Sequence, residues 1–153
     1  MKKEEKVFDA SESQVEDNQK VLFILNFGRK LPDPVIKEIE TKTKAIVTEE
    51  QIKVNINLSK VIYIQIVDII DSIPKELLKG NKKILVNLPG LPIAAAYIIV
   101  ELHARMGFFP LVLELYRDHA ADNIWNDWNL KRIVDLEYER SISRSKMFGG
   151  ELP

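Results

Sequence analysis

The fold of this chain is decided by residues 83–117, KILVNLPGLPIAAAYIIVELHARMGFFPLVLELYR. The pattern predicts a strand, a turn at residues 87–90, a helix from Pro92 to Arg105 and a second strand from Leu111. Both predicted strands are continuously apolar rather than alternating, which is typical of strands buried on both faces. Two such strands joined through a helix form the unit of a parallel sheet with right-handed crossovers.

A similar unit precedes this stretch. Residues 21–27, VLFILNF, form an apolar run without alternation and predict a central strand. After the loop GRKLPD, a short amphipathic helix begins at Pro34. Residues 52–58, IKVNINL, alternate apolar and polar side chains, which predicts a strand with one wetter face at the edge of the sheet.

The remaining sequence continues the alternation. The run SKVIYIQIVDIIDSIP predicts a helix that Ser59 caps and Pro74 ends, although its β-branched content favours a strand. KRIVDLE at residues 131–137 predicts a further strand, and YERSISRSKM at residues 138–147 predicts a closing helix. Strands that alternate with helices predict an α/β fold with a mostly parallel sheet flanked by helices.

Length and composition limit what the chain can do. With 153 residues, 46% of them hydrophobic, we expect one domain over residues 21–153 behind a flexible polar arm at residues 1–20. The formal net charge of -1 argues against binding of long nucleic acid, so an anionic ligand must be bound locally. The apolar runs are too short for a membrane span and the polar start lacks a signal peptide, so we expect a cytoplasmic protein. Without cysteine, clustered metal ligands or a dinucleotide motif, we expect neither a metal nor a cofactor.

Two loops of the predicted sheet begin with an asparagine at the end of a strand: NFGR at residues 26–29 and NLPG at residues 87–90. Ligands of parallel α/β sheets bind outside the carboxyl ends of the strands, so both loops belong to the predicted binding edge, side by side if their strands are neighbours. A helix that follows such a loop directs free N–H groups at it, which suits phosphate. The predicted ligand-binding residues are Asn26, Phe27, Gly28, Arg29, Asn87, Leu88, Pro89, Gly90, Leu91 and Arg117.

These features also have plain structural alternatives. The Asn87 carboxamide either binds a ligand or only completes its own turn. The alanines at residues 94–96 either admit a flat base or a partner subunit, or simply let the helix pack on the sheet. The tryptophans of WNDW, residues 125–128, either stack on bases or belong to a loop that covers the core. His103 and Arg105 are predicted at the opposite edge, where they face the negative end of the helix dipole.

Three segments together resemble a known family: ILNF followed by KLP near the start, the turn NLPGL, and ELHARMGFFP further on. Across residues 21–117 the chain resembles the small CRISPR-associated proteins of type III systems that bind cyclic oligoadenylate, a Rossmann-like family related to ring nucleases and CARF domains. The first loop departs from the family's pattern, NFSxxLP-like with a small hydroxyl residue, since Gly28 and Arg29 stand there. The N-terminal arm and the WNDW segment have no counterpart in the resemblance.

The resemblance implies a Rossmann-like, CARF-like domain that binds the second messenger cyclic tetra-adenylate across the two-fold axis of a homodimer. It leaves open the assembly of such dimers into higher-order oligomers on ligand binding. A ring of even symmetry suits a site in which each loop occurs twice. In that site Asn26, Arg29, Asn87, Gly90 and Leu91 would bind the ligand, with backbone N–H groups from Gly90 onward donating to phosphate.

The residues favour a protein that sequesters the messenger over one that cleaves it. Cleavage by the 2′-hydroxyl needs in-line positioning, charge stabilisation and often a general base. His119 could act as the base and Arg29 could stabilise charge, which would make the chain a metal-independent ring nuclease. A third alternative is a non-catalytic α/β interaction module, in which the NLPG turn is only a tight connection and no cavity lies at the carboxyl edge.

Overall fold

The computed structural model describes residues 20–80, 83–118 and 128–149. Most of the predicted N-terminal arm, His119 and Trp125 therefore lie outside the described residues. Within the described ranges, no helix is both long enough and apolar enough to cross a bilayer. The elements are β1 Val21–Asn26, α1 Asp33–Thr43, β2 Ile46–Gln51, α2 Ile62–Asp71, α3 Lys75–Leu78, β3 Lys83–Asn87, α4 Pro92–Met106, β4 Leu111–Arg117, β5 Trp128–Asp135 and α5 Leu136–Met147.

One sheet joins the five strands in the order β2-β1-β3-β4-β5. Strands β2, β1, β3 and β4 run parallel to one another, and β5 returns antiparallel to β4. β1 and β3 lie side by side, with Asn26 in register with Asn87. The predicted α/β fold with a mostly parallel sheet flanked by helices is therefore confirmed.

The two faces of the sheet carry different numbers of helices. On one face, α2, α3 and α4 share a core with strand residues that include Leu25 and Val86. On the other face, Val35 and Ile39 of α1 share a core with Leu85. Leu85 and Val86 belong to different cores because successive strand residues point to opposite faces. Of the described helices, α1 alone contributes buried residues to the second core.

The edge strand differs from its prediction, because residues 52–58 lie outside the sheet. β2 comprises Ile46–Gln51 instead, and its last residue pairs with Asn26 at the end of β1. Beyond that point β1 offers no partner, so strand pairing stops. Alternate side chains from Ile52 to Ile56 still pack partly buried against the core of the α2–α4 face. The alternating pattern of residues 52–58 therefore reflects the packing of every second side chain against the core. The predicted strand assignment is wrong.

α2 is confirmed as a helix, but its predicted cap is wrong. The N-cap residue is Val61, which makes no side-chain capping hydrogen bond. The Ser59 hydroxyl donates instead to Asn57 Oδ1 at 2.6 Å, within a turn that precedes the helix. The helix ends at Asp71, before the predicted stop, and Pro74 caps the short α3.

α4 agrees with its prediction to within one residue. It starts at Pro92 and stops at Gly107, whose φ of 83° lies in the left-handed region that favours glycine. The Gly107 N–H donates to the His103 carbonyl oxygen at 2.8 Å and closes the last turn. Because α4 connects two parallel strands, it begins at the carboxyl edge of the sheet and ends at the opposite edge.

His103 and Arg105 lie in the last turn of α4, away from the two loops. The Arg105 guanidinium forms ion pairs with Asp71 at 2.6 Å and with Glu101 at 3.3 Å. Glu101 also accepts a hydrogen bond from the Tyr63 hydroxyl at 2.6 Å, and that hydrogen bond raises the pKa of Tyr63. These contacts join α2 to α4, so this end of the helix has a structural role.

Candidate functional site

The carboxyl edge of the sheet brings the two predicted loops together. β1 ends at Asn26 and β3 ends at Asn87, and these residues are partners in the parallel register. Immediately beyond them, the Phe27 N–H donates to the Asn87 carbonyl oxygen at 2.9 Å. The NFGR and NLPG loops therefore lie side by side, which is where ligands of such sheets bind.

Asn26 is the centre of the contacts between these loops. Its side chain is fully buried, and its Oδ1 accepts hydrogen bonds from Gly28 N and Asn87 Nδ2, both at 2.9 Å. Its Nδ2 donates to the Arg29 carbonyl oxygen at 2.8 Å. A buried amide is stable only when its polar atoms find such partners. Asn26 therefore supports the loops from beneath and does not face an open cavity.

Asn87 joins the two loops and also borders a cavity. Its Nδ2 donates to Asn26 Oδ1 at 2.9 Å and, over a longer distance of 3.5 Å, to the Arg29 carbonyl oxygen. The side chain therefore completes the junction between the loops. Asn87 also lines a cavity at this edge, so the same residue contributes to a surface that a ligand could reach.

Two side chains of β2 hold the first loop, and sequence reasoning missed both. Gln51 Nε2 donates to the carbonyl oxygens of Gly28 at 2.8 Å and Asn26 at 3.1 Å. Glu49 Oε2 accepts from the Leu31 N–H at 3.4 Å and from Asn26 Nδ2 at 3.4 Å. The half of β2 that borders the loop is polar and has no apolar pattern, so nothing in the sequence indicated that this strand supports the loop.

Gly28 stands where a side chain has no room. A Cβ atom there would lie 2.9 Å from Asn87 Nδ2 and 3.0 Å from the Leu88 carbonyl oxygen. The first distance is shorter than carbon contacts in folded proteins and the second is tighter than most, so a side chain would require the Asn87 carboxamide or the second loop to shift. A hydroxyl residue, as in the family pattern, would not fit here without a shift.

The paired loops form a ridge, residues 26–29 and 87–91, with a cavity on each side. The first cavity, of about 300 Å³, lies on the α1 face, and Lys30, Leu115 and Trp128 are among the residues that line it. The second cavity, of about 560 Å³, lies toward residues 52–58 and is bordered by Lys53. The residues that line both cavities are Gly28, Arg29 and Gly90.

The described charged residues that line the two cavities are all basic. Arg29, Lys30 and Lys53 line them, whereas none of the described lining residues is acidic. Arg117, at the end of β4, adds a cation to the same edge, and its guanidinium carbon lies 5.4 Å from the centroid of the Trp128 ring. Basic side chains therefore border the cavities, while the Glu49 carboxylate lies beneath the first loop.

The other predicted residues divide between the core and the surface. Phe27 is buried in the α2–α4 core. Leu88, Pro89 and Leu91 are partly buried, and Gly90 is exposed, with no atom within 4 Å of a Cβ built on it. The alanines near the start of α4 differ in burial. Ala94 is fully buried and packs in the core, whereas Ala96 is exposed.

The sequence reasoning missed Trp128 as an individual site residue. It begins β5, is partly buried and lines the first cavity, so neither simple alternative for the tryptophan pair describes it fully. The position of Trp128 at the start of the strand that follows β4 could have indicated its place in the site, because β4 ends at the same edge as the two loops. Among the described residues, no group of three or more His, Asp or Glu side chains is arranged to hold a metal ion.

No protein-family model, no curated protein and no solved structure matches this chain. The resemblance described above therefore rests on its sequence motifs alone.

Proposed function

We propose that this protein binds a cyclic oligoadenylate messenger of type III CRISPR antiviral defence, in particular cyclic tetra-adenylate, and sequesters it in the cytoplasm so that the signal is damped. One observation carries the proposal: a ridge of paired loops separates two cavities, and Arg29 borders both. A cyclic oligonucleotide carries its phosphates in a ring and its bases as flat projections. A cationic ridge between two cavities suits that distribution of charge and shape.

The start of α4 supports phosphate binding on the ridge. Its N-cap residue, Leu91, makes no side-chain hydrogen bond to the first turn, and Pro92 lacks an N–H. The following N–H groups are oriented toward the NLPG loop, and the helix dipole adds positive potential there. Gly90 leaves the backbone open for close approach. Backbone donors and Arg29 can therefore bind one phosphate from two directions.

Sequestration is favoured over cleavage by the residues around the cavities. Metal-independent cleavage commonly uses a side chain that takes the proton from the attacking 2′-hydroxyl. None of the described residues that line the cavities is His, Asp or Glu. Glu49 is engaged beneath the first loop by Leu31 and Asn26. His119, the base that the sequence suggested, lies outside the described residues.

The openness of the edge also favours a ligand over a purely structural turn. The alternative of an α/β interaction module requires the NLPG turn to be sealed by its neighbours. Gly90 is exposed and two cavities adjoin the turn, with volumes of about 300 and 560 Å³. Both volumes fall within or close to the range of small-molecule sites, ~300–1,000 Å³.

A second copy of this chain is the protein partner that we propose. Val100 of α4 is 57% exposed and Ile64 of α2 is 58% exposed, and Ile93 and Val61 extend this apolar surface. α2 and α4 pack against each other, so their exposed faces adjoin. Contiguous exposed apolar surface commonly marks an interface. Because α4 begins at the ridge, a two-fold axis beside it would bring two ridges to one cyclic ligand.

The ligand proposal is tested by incubating the protein with radiolabelled cyclic tetra-adenylate without metal, on native and denaturing gels in parallel. We expect a shift on the native gel and intact ligand on the denaturing gel. The double variant Arg29→Ala/Lys30→Ala should abolish the shift. Arg144→Ala/Lys146→Ala on α5 is the matched control, because it removes the same charges from exposed positions and should bind normally.

The other outcomes of this experiment overturn the proposal in distinct ways. Conversion to a linear product, especially if His119→Ala abolishes it, would make the protein a ring nuclease. Absence of both shift and product would favour the interaction module.

The dimer is tested by Val100→Glu, which puts a charge into the proposed interface. We expect a dimer in the parent protein and a monomer in the variant by sedimentation velocity, with loss of the native-gel shift. Met147→Glu on α5 is the control, since Met147 is also exposed but lies on another element. A monomeric parent, or a dimer that Val100→Glu leaves intact, would refute this interface.

A further inference from the structure

The first cavity is too small for a whole cyclic tetranucleotide. Its volume of about 300 Å³ equals the lower limit of small-molecule sites, ~300–1,000 Å³. It therefore has room for one flat group of a larger ligand. The rest of that ligand must lie outside, on the ridge that borders the cavity.

One part of the wall of this cavity is apolar and includes an aromatic ring. Leu31 and Leu113 are buried residues of the α1-face core, and Leu115 packs partly buried against the same core. Trp128 completes the lining from β5. Leucine side chains and an indole offer a flat group dispersion contacts and stacking rather than hydrogen bonds.

An irregularity in the β4–β5 pairing orients Trp128 toward this cavity. Ile133 pairs with Leu113, but beyond a register shift Leu115 pairs with Leu130. Leu130 belongs to the α1-face core and Ile133 packs against it, although they are three positions apart and an uninterrupted strand alternates with period two. The bulge therefore shifts the alternation of side chains in the first residues of β5 by one position. Trp128, two residues before Leu130, then shares its face.

Positive charge adjoins the apolar part of the cavity. Arg29 and Lys30 line it, and the Arg117 guanidinium lies over the Trp128 ring with its carbon 5.4 Å from the centroid. That contact is within the range of a cation–π interaction, which restricts the motion of the indole. A ligand that fits must therefore combine a flat apolar group with a neighbouring anion.

We infer that the first cavity is a subsite for a single purine base, stacked against Trp128, with the phosphate of the same nucleotide on Arg29 and Lys30. The inference rests on the proposed function, because it assigns one base of the cyclic oligoadenylate to a cavity beside the ridge. It adds a binding residue from β5, a strand that lies outside the stretch resembling the cyclic-oligoadenylate-binding family. Base–aromatic stacking gives the subsite its affinity.

The test uses the intrinsic fluorescence of Trp128. The chain has two tryptophans, so Trp125→Phe serves as the parent, in which Trp128 is the only indole. The full-length parent is titrated with cyclic tetra-adenylate and, separately, with adenosine 5′-monophosphate. We expect quenching by both, more weakly for the mononucleotide because it makes fewer ridge contacts.

Three substitutions and a control separate stacking from folding. Trp128→Ala should weaken binding of cyclic tetra-adenylate, measured with radiolabelled ligand, by about 5- to 150-fold, the loss expected from one stacked base. Trp128→Phe retains an aromatic ring and should restore most of the affinity. Leu115→Glu, which puts a carboxylate into the cavity, should weaken binding as well and carries the test if Trp128→Ala fails to fold. Tyr138→Ala, at an exposed position on α5, is the control.

The outcomes distinguish this inference from the proposed function. If the parent binds cyclic tetra-adenylate but shows no quenching, and Trp128→Ala and Leu115→Glu bind as the parent does, the subsite is refuted and the proposed function stands. If the mononucleotide binds and quenches but cyclic tetra-adenylate does not bind, the subsite stands and the proposed ligand is refuted. If neither binds, both are refuted.

Discussion

The two glycines of the ridge lie in opposite surroundings. A Cβ atom at Gly28 would lie 2.9 Å from Asn87 Nδ2, whereas one at Gly90 would meet no atom within 4 Å. The NFGR loop is thus packed tightly from beneath, and the NLPG loop presents open backbone. The difference shows that a glycine in a loop can serve packing or access, and that residue identity alone does not distinguish the two. Four substitutions test this division.

The largest effect on stability is expected for Asn26→Ala. The substitution leaves Gly28 N and Asn87 Nδ2 without their common acceptor and Arg29 O without its nearest side-chain donor. Because each unsatisfied buried group costs about 1–3 kcal/mol, the free energy of unfolding should fall by about 2–4 kcal/mol in urea titration. Lys37→Ala, at an exposed position on α1, is the control. A loss below about 1 kcal/mol would show that Asn26 is not the centre of the ridge.

Gly28→Ala should come next. The added methyl group collides with Asn87 Nδ2 and the Leu88 carbonyl oxygen, so the loops must separate. Such overpacking costs about 1–3 kcal/mol, again measured by urea unfolding. Unchanged stability would mean that the loops yield without strain, and the comparison between the two glycines would fail.

Asn87→Ala should destabilise less than Asn26→Ala. Asn26 Oδ1 keeps its hydrogen bond from Gly28 N, so only the bonds made by Asn87 Nδ2 are lost. We expect a loss of about 1–1.5 kcal/mol. A loss equal to that of Asn26→Ala would indicate that the two asparagines act as one unit, which the double variant would then reveal as non-additive.

Gly90→Ala should have the smallest effect on stability and separates stability from binding. Its backbone is not in the left-handed region and a methyl group meets no neighbour, so the free energy of unfolding should change by less than about 0.5 kcal/mol. If phosphate approaches the backbone here, the affinity for cyclic tetra-adenylate should fall by roughly tenfold or more, as for a lost hydrogen bond to a charged group. Unchanged affinity in gel titration would exclude Gly90 from the proposed phosphate site.

The sequence was sufficient for the elements that carry strong local signals. The apolar β1 and β3, and α4 between Pro92 and Gly107, follow from composition, proline and glycine alone. The two asparagine turns were found because each ends an apolar strand. That they touch depends on β1 and β3 being neighbours, a fact of strand order that a single sequence does not contain.

The sequence was insufficient where tertiary contacts replace local pattern. Glu49 and Gln51 lie on a polar edge strand, so their support of the first loop has no periodic signature. Residues 52–58 have a strand pattern but no strand beside them, because β1 has already ended. Trp128 reaches its cavity only through a shift in register between β4 and β5, which no count of alternating residues predicts.

Side chains of the neighbouring strands hold the NFGR loop through hydrogen bonds within the protein. Asn26, Glu49 and Gln51 fix its backbone from β1 and β2, so the conformational entropy of the loop is lost on folding rather than on binding. The first loop of the ridge is therefore held in one conformation by its neighbours. A cyclic oligonucleotide is a flexible ring with several puckers and base orientations, so for the proposed ligand we expect the change of shape on association to fall on the ring rather than on this loop.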